Sequence, residues 1–501
     1  MQNTAFPHES RVNFAHFWGL TKIKKLAGDT LLYGLGNIIP RFLTFLLFPI
    51  HTKFRFDPEE FGVFTYLMSL VAFMNIIYSF GMETTFFRFA TKPGANEKRV
   101  FNAGLTVVIV VGVIISGSII LFSHSIATML NVGNHPDFIV WLAVIMFIDN
   151  LAALPFARLR LERKPIRFAI YRITNVVIVV GLNLYFLFVI YDPAIGIGYI
   201  FLALLIANSM YIVFFFRTFL QWRPVFDREM SSSMLSYSYP IVLTGLLGTT
   251  NEFFSRISLE NWLPEGFYQG RSSKFAVGVF GACYRFAVLM NLAVLAYRMA
   301  AEPFFFNNAA DKESPKLFAK VNHYFVIVCC FILLGIAINM DVLKYLMASS
   351  YWDGIVVVVP LLLGYLFFGI YYNMTVWYKL TDKTIYGTYI SLGGAFLTIA
   401  LNYLLIPMYG YLGSAWATTF VYLAMTAACY LLGQKFWPVP YPVFKDALYI
   451  ITTTLLAYGV NLYKFENLIL GASIHTVIIL AWLGIVYLIE GKSQIAELQN
   501  R

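Results

Sequence analysis

The sequence predicts an all-α, polytopic membrane protein with about fourteen transmembrane helices, built as two six-helix bundles followed by two C-terminal helices. Three observations predict it. Between Leu31 and Ile489 the 501-residue chain reads as fourteen apolar stretches, each near the ~20 residues that cross a bilayer as a helix. Only 12% of residues are charged against 59% hydrophobic, with a mean hydropathy of +0.71, which leaves too little polar surface for a soluble globule of this length. The 36 Lys and Arg residues also fall on alternate connections, 26 on one set, where a cation near the start of a stretch, such as Arg172 in the fifth, is counted with the connection before it, and six on the other, with the other four inside the stretches. Short loops rich in Lys and Arg stay in the cytoplasm. The bias therefore predicts a multi-pass protein of the inner membrane with both termini cytoplasmic.

The first stretch, 31–50, follows a basic segment, 1–30, that lacks the apolar run and small-residue cleavage site of a signal peptide. It holds Arg41, with Asn37 nearby and Pro40, which frees a carbonyl and kinks a helix. The second, 61–81, opens on Gly62-Val63-Phe64 and is followed by Glu83. After the third, 101–123, the fourth, 137–157, carries Asp149 and then Pro155. A cationic connection from Arg158 to Arg172 leads into the fifth, 168–190, and the sixth, 195–216, closes the first bundle, 31–217. A cytoplasmic linker, 218–237, precedes the seventh, 238–262, which carries Glu252, Arg256 and Glu260. The eighth, 275–302, opens on Gly278-Val279-Phe280 and carries Arg285, Arg298 and Glu302. The ninth to twelfth, 321–340, 355–378, 385–407 and 411–432, complete the second bundle, 238–432. Helices thirteen and fourteen, 444–463 and 468–489, lie with a cytoplasmic tail in 433–501.

The chain repeats itself. Gly62-Val63-Phe64 corresponds to Gly278-Val279-Phe280, and Glu83-Thr84-Thr85-Phe86-Phe87 to Glu302-Pro303-Phe304-Phe305-Phe306. An offset spanning six helices, an even number, keeps both copies in the same orientation, so the repeat is parallel with its axis along the membrane normal. A cavity between such halves can open to each side in turn.

The formal charge of +10 is a topology signal and no nucleic-acid footprint, because the cations are dispersed over eight connections; it adds an attraction to anionic lipids. No connection exceeds about twenty residues, and GxxxxGK[ST], HExxH and GxSxG are absent. The chain is therefore expected not to be an enzyme, with no catalytic residues. Cys283, Cys329, Cys330 and Cys429 lie in apolar stretches without CxxC spacing, so neither a disulfide, a metal nor a resident cofactor is expected.

Ionisable residues inside spans cost roughly 2.5–3.5 kcal/mol each and mark either satisfied pairs or water-filled routes. Arg41, Asp149, Glu252, Arg256 and Arg285 fall near mid-depth, and Glu260, Arg298 and Glu302 nearer the ends. Glu252, Arg256 and Glu260 share one helical face at i, i+4, i+8. They form either a static salt bridge, or a switch in which a proton, a sodium ion or substrate competes for Arg256. Arg41 and Arg285 have no acid one turn away, so each needs a partner from another helix or a ligand. Asp149 either titrates as a proton carrier or pairs with Arg41. Guanidiniums facing one cavity suit a phosphate or diphosphate, which they bind bidentately. The 18% aromatic content fits sugar stacking, but packing and interfacial belts account for most of it; Tyr371-Tyr372-Asn373 and Trp377 are candidates for a cavity lining.

Several segments carry a resemblance. Leu26-Ala27-Gly28-Asp29-Thr30-Leu31-Leu32-Tyr33-Gly34-Leu35, Arg41-Phe42, Pro58-Glu59-Glu60-Phe61-Gly62-Val63 and Gly81-Met82-Glu83-Thr84 resemble the opening of the polysaccharide (O-antigen-type) flippases. These belong to the multidrug/oligosaccharidyl-lipid/polysaccharide exporter superfamily. Leu159-Arg160-Leu161-Glu162-Arg163-Lys164-Pro165 is similar to the same family, particularly to Bacteroidetes members, as is Asn402-Tyr403-Leu404-Leu405-Ile406-Pro407 with Gly410 and Gly413. The resemblance implies two six-helix bundles in a V shape. It implies that an undecaprenyl-diphosphate-linked oligosaccharide, as in lipopolysaccharide assembly, is flipped from the cytoplasmic to the periplasmic leaflet by alternating access. Arg41, Arg256, Arg285 and Arg298 are the expected substrate-binding residues, with Glu252, Asp149 and Glu83 for ion coupling or gating by protons or sodium. Expected partners are the lipid-linked glycan, membrane lipids and other glycan-assembly proteins, around a monomer. A cation-coupled multidrug exporter and a lipid-linked peptidoglycan precursor flippase are the alternatives. A glycan polymerase would need catalytic outside loops, and a scaffold leaves the buried arginines unexplained.

Overall fold

Apolar runs without a two-residue alternation satisfy their backbone groups in hydrocarbon as helices, and no strand occurs among the described residues. The structure is a computed structural model describing residues 36, 38–309, 311, 313–463, 465 and 467–499. The N-terminal segment 1–30, Asn37, and the topology cations Lys312, Lys464 and Arg501 lie outside the described residues.

After a helix over 38–46, the main helices are α1 (Pro58–Ser79), α2 (Met82–Ala90), α3 (Glu97–Leu121), α4 (Pro136–Leu161), α5 (Pro165–Phe188), α6 (Gly198–Phe214), α7 (Arg228–Trp262), α8 (Ser273–Asn308), α9 (Ser314–Ile338), α10 (Val358–Met374), α11 (Ile385–Phe436), α12 (Val443–Asn461) and α13 (Leu468–Gln499). Their starts follow local chemistry. Asn96 caps α3 by accepting from the Arg99 N–H at 3.0 Å. Pro136 and Pro165 open α4 and α5 at the position where a missing N–H is harmless. Gly81, at φ 63°, turns α1 into α2.

Ten helices among the described residues are long and apolar enough to cross a membrane. The difference from fourteen has physical causes. The first expected span is only partly within the described residues, α6 has 17 residues, and α7 is rich in Ser, Thr and charged side chains. The eleventh and twelfth spans run together as α11. At 52 residues, α11 would be ~78 Å long if straight, more than twice a bilayer core of ~30 Å. It breaks at Gly410, where φ is 55° and ψ −134°. The Ser414 hydroxyl donates to Asn402 Oδ1 at 2.8 Å, a contact that twelve residues of straight helix would hold ~18 Å apart, so the chain folds back there.

The chain forms two compact units: Met1–Phe45, Tyr78–Ile190 and Tyr199–Ser238 in the first, and Leu46–Ile77, Tyr191–Gly198 and Tyr239–Arg501 in the second. Most of α1 thus packs within the second unit. In the first, Met82, Phe86, Phe101, Leu154 and Met234 form one buried cluster, and Phe156, Phe168, Tyr211 and Phe215 another.

Two features give the sequence repeat a physical meaning. Inside the second unit α1 crosses α8 at the paired glycines: a Cβ on Gly62 would strike the Lys274 carbonyl, and one on Gly278 the Pro58 carbonyl. Each glycine thus faces the backbone one turn before the other. The second feature is an ion pair at the same register in each unit. Arg160 reaches Glu83 at 2.5 Å in the first and Lys379 reaches Glu302 at 2.6 Å in the second, each pair 77 residues apart in sequence.

The last two helices dock on α9 through a polar cluster. His323 Nδ1 bonds Asp446 on α12, while its Nε2 stands 3.2 Å from Glu490 on α13 without hydrogen-bond alignment. Lys445 and Tyr449 bond the same Glu490 at 2.9 and 2.7 Å. All four cysteines are buried free thiols.

Candidate functional site

Deep within α7, Arg256 is only 4% exposed. Its Nη1 donates to the backbone carbonyl of Glu252 at 2.9 Å, so this bond of the expected i, i+4 pair goes to the main chain. The guanidinium face lies on the Tyr284 ring of α8, 3.9 Å from its centroid, with Phe253 at 5.1 Å and Phe280 at 5.9 Å. Such stacking is worth about 2 kcal/mol or more once desolvated.

Tyr284 immediately precedes Arg285, so the ring that holds Arg256 also sets the position of the next cation. Arg285 is half-buried and lies within electrostatic reach of both Arg256 and Tyr284. Among the described residues it makes no hydrogen bond or ion pair. Two guanidiniums near each other in a low-dielectric setting repel, and an anion between them would relieve that repulsion.

An aromatic series leads from this pair along α10. The Tyr284 hydroxyl bonds the Tyr365 hydroxyl. Phe368 packs on Tyr422 of α11 and on Tyr372, each at 4.6 Å, and Arg298 lies on the Tyr372 ring at 4.1 Å. The Glu252 carboxylate acts electrostatically on Tyr284, Tyr372 and Tyr422. Arg298 sits thirteen residues past Arg285, ~20 Å along α8, and so stands apart from the Arg256–Arg285 pair. It lines a narrow recess, of about 20 Å³, with Tyr297, Glu302, Tyr372, Asn373 and Lys379. Of the aromatic candidates, Tyr372 and its neighbour Asn373 line this recess, whereas Trp377 is buried among Tyr378, Tyr386 and Phe436.

Arg41, Asp149 and Glu83 belong to the first unit. Arg41 is exposed on the helix over 38–46, in the first unit. Asp149, half-buried in α4, has Arg172 of α5 as its cationic neighbour. Arg172 stacks on Phe156 at 4.2 Å. Counting Arg172 among the loop cations hid this pairing; its position inside the fifth stretch was the available signal. Glu83 is taken up by Arg160. Glu260 has Lys274 and Glu59 as its charged neighbours, so the face shared with Glu252 and Arg256 does not make a three-residue network. Tyr284, Tyr365 and Tyr422 were not legible as site residues among 32 tyrosines, although Tyr284 adjoins a mid-span arginine. No cluster of His, Cys, Asp and Glu suited to a metal occurs among the described residues.

A family model described as polysaccharide biosynthesis protein matches residues 56–257. Among solved structures, the lipid II flippase MurJ in an inward closed conformation is similar with a TM-score of 0.69 at 14% identity, covering 91% of this chain and 99% of that one. The MATE multidrug transporter DinF-BH is similar at 0.59 and 17% identity, covering 83% and 96%. An inward-facing multidrug resistance MATE family transporter of the MOP superfamily is similar at 0.57 and 13%, covering 87% and 96%. No curated protein sequence matches the chain. The family model thus covers part of the chain under a polysaccharide biosynthesis description, and the solved structures share its fold; a likeness to Bacteroidetes members has no counterpart among these matches.

Proposed function

We propose that the protein carries an undecaprenyl-diphosphate-linked oligosaccharide or polysaccharide repeat unit from the cytoplasmic to the periplasmic leaflet of the inner membrane by alternating access. The observation that carries this reading is the Arg256–Arg285 pair on Tyr284, two cations drawn together with no acid bonded to Arg285 among the described residues. The diphosphate is the part of the cargo most costly to bring through hydrocarbon, and guanidiniums replace its water with directed hydrogen bonds. With both termini cytoplasmic, α8 runs inward, so Arg298 meets the headgroup first and Arg285 receives it. The intervening aromatic faces offer stacking surface to sugar rings, while the lipid tail stays in the bilayer. Glu252, which shares this aromatic group, is the carboxylate through which proton or sodium exchange biases the cycle; Asp149 and Glu83 of the first unit are further coupling or gating residues, and Arg41 a further substrate contact. The family model's description and the fold shared with a lipid II flippase support a lipid-linked cargo.

The test is leaflet translocation of a fluorescent undecaprenyl-diphosphate oligosaccharide in proteoliposomes. Wild type is expected to move it, and Arg256→Ala and Arg285→Ala each to slow it tenfold or more, ~1.4 kcal/mol at the barrier. Exchange of organic cations for sodium or protons by a folded wild type that leaves the glycolipid in place replaces this reading with drug export. Movement of a lipid-linked peptidoglycan precursor alone replaces the cargo.

A further inference from the structure

Within the first unit, the ends of α4, α5 and α6 border an open recess of about 620 Å³. Four cationic side chains line it, Arg158, Lys164, Arg167 and Arg217, against the single carboxylate of Glu162. That carboxylate is already compensated. Lys164 Nζ and Arg158 Nε stand 2.5 and 2.8 Å from its oxygens. Partial burial pulls its pKa upward, but these two cations outweigh that and hold it below the usual carboxylate range. Arg167 and Arg217 are different: both are exposed, and among the described residues neither guanidinium has an ion pair or hydrogen bond. Arg167 also lies in the first turn of α5, where the helix dipole favours an anion.

The surface around the recess is apolar. Ile166 is 63% exposed and Ile170 53% on α5; Val213, at 62%, and Phe216, at 56%, line the recess themselves. On helices that cross a bilayer such side chains face acyl chains. The recess therefore opens where lipid-facing surface meets uncompensated cations, at the start of a span. A free anion has no use for that apolar border, and a zwitterionic headgroup brings its own cation to a site already cationic.

We propose that this recess binds the phosphate headgroup of an anionic glycerophospholipid, with Arg167 and Arg217 on the phosphate and Ile166, Ile170, Val213 and Phe216 against the upper acyl chains. The site uses residues of the first unit alone, and it goes beyond the glycan reading without depending on it.

The experiment is lipid retention by the purified full-length protein in neutral detergent, without glycolipid cargo, titrated with phosphatidylglycerol, phosphatidylcholine or glycerol 3-phosphate. Phosphatidylglycerol is expected to half-saturate at a concentration at least about tenfold below phosphatidylcholine, with glycerol 3-phosphate inert. The Arg167→Gln/Arg217→Gln double variant, which leaves the Glu162 ion pairs intact, is expected to lose that tenfold preference. The Arg167→Lys/Arg217→Lys variant keeps part of it and serves if the Gln form does not fold. Equal retention of the two lipids, or an unchanged preference in both variants, overturns the proposal. Binding of glycerol 3-phosphate as tightly as of the lipid assigns the recess to a free phosphate and overturns the lipid assignment. Since no cargo is present, failure here is distinguishable from failure of the translocation assay.

Discussion

The four Lys and Arg residues left over when the others are assigned to connections are Arg41, Arg256, Arg285 and Arg298, and three of these lie along one aromatic-lined strip of α7, α8 and α10. What was legible at this scale is that a buried guanidinium demands a partner; the partner itself was not. For Arg256 the sequence offered Glu252 and Glu260 one turn away, yet the guanidinium takes a main-chain carbonyl and a ring from another helix. A planar delocalised cation loses less on desolvation against a π face than against water-starved hydrocarbon, and nothing in the spacing along one helix reports which ring arrives from the next. The stacking makes a sharp prediction. Tyr284→Phe removes the hydroxyl, with its bond to Tyr365 and its hydrogen-bonding interaction with Arg256, but keeps the ring, and is expected to cost about 1 kcal/mol, whereas Tyr284→Leu also removes the face under Arg256 and costs about 2 kcal/mol more. Chemical unfolding of both variants in mild detergent reads the difference; equal losses mean that the ring does not hold the guanidinium.

At the scale of elements, the repeat was visible as two short matches and its purpose was not. Without a hydrophobic drive between helices in lipid, close approach depends on small residues, and the matched glycines are the ones that let α1 and α8 touch backbone to backbone. The matched glutamates carry ion pairs with partners 77 residues on, Arg160 and Lys379, which no short motif search connects because the two partners differ in type. Conversely, the fold-back at Gly410 was anticipated as a gap of three residues between two spans, because a 52-residue helix is incompatible with a bilayer. The glycine argument predicts opposite signs at two positions. Gly278→Ala pushes a methyl into the Pro58 carbonyl and is expected to lower stability by about 1–3 kcal/mol. Gly117→Ala, in α3 with nothing within 4 Å of the added Cβ, is expected to raise it by up to about 1 kcal/mol. Melting curves of the two purified variants check this, and a Gly278→Ala protein as stable as wild type shows that the crossing can open without cost.

For the whole molecule, the distribution of cations predicts which side each connection faces, independently of any packing between helices. Lys92 lies on a connection assigned to the cytoplasm and Glu265 on one assigned to the periplasm, and both are exposed. The native thiols provide a silent background, since Cys283, Cys329, Cys330 and Cys429 are all buried. A membrane-impermeant maleimide added to intact cells is therefore expected to label Glu265→Cys and leave Lys92→Cys unlabelled until the membrane is permeabilised, without removal of any native cysteine. Labelling in the reverse order inverts the topology. It would also exchange the ends of α8, making Arg298 the outer station and Arg285 the one reached first from the cytoplasm, so the proposed order of headgroup transfer depends on this result as directly as on the arginine variants.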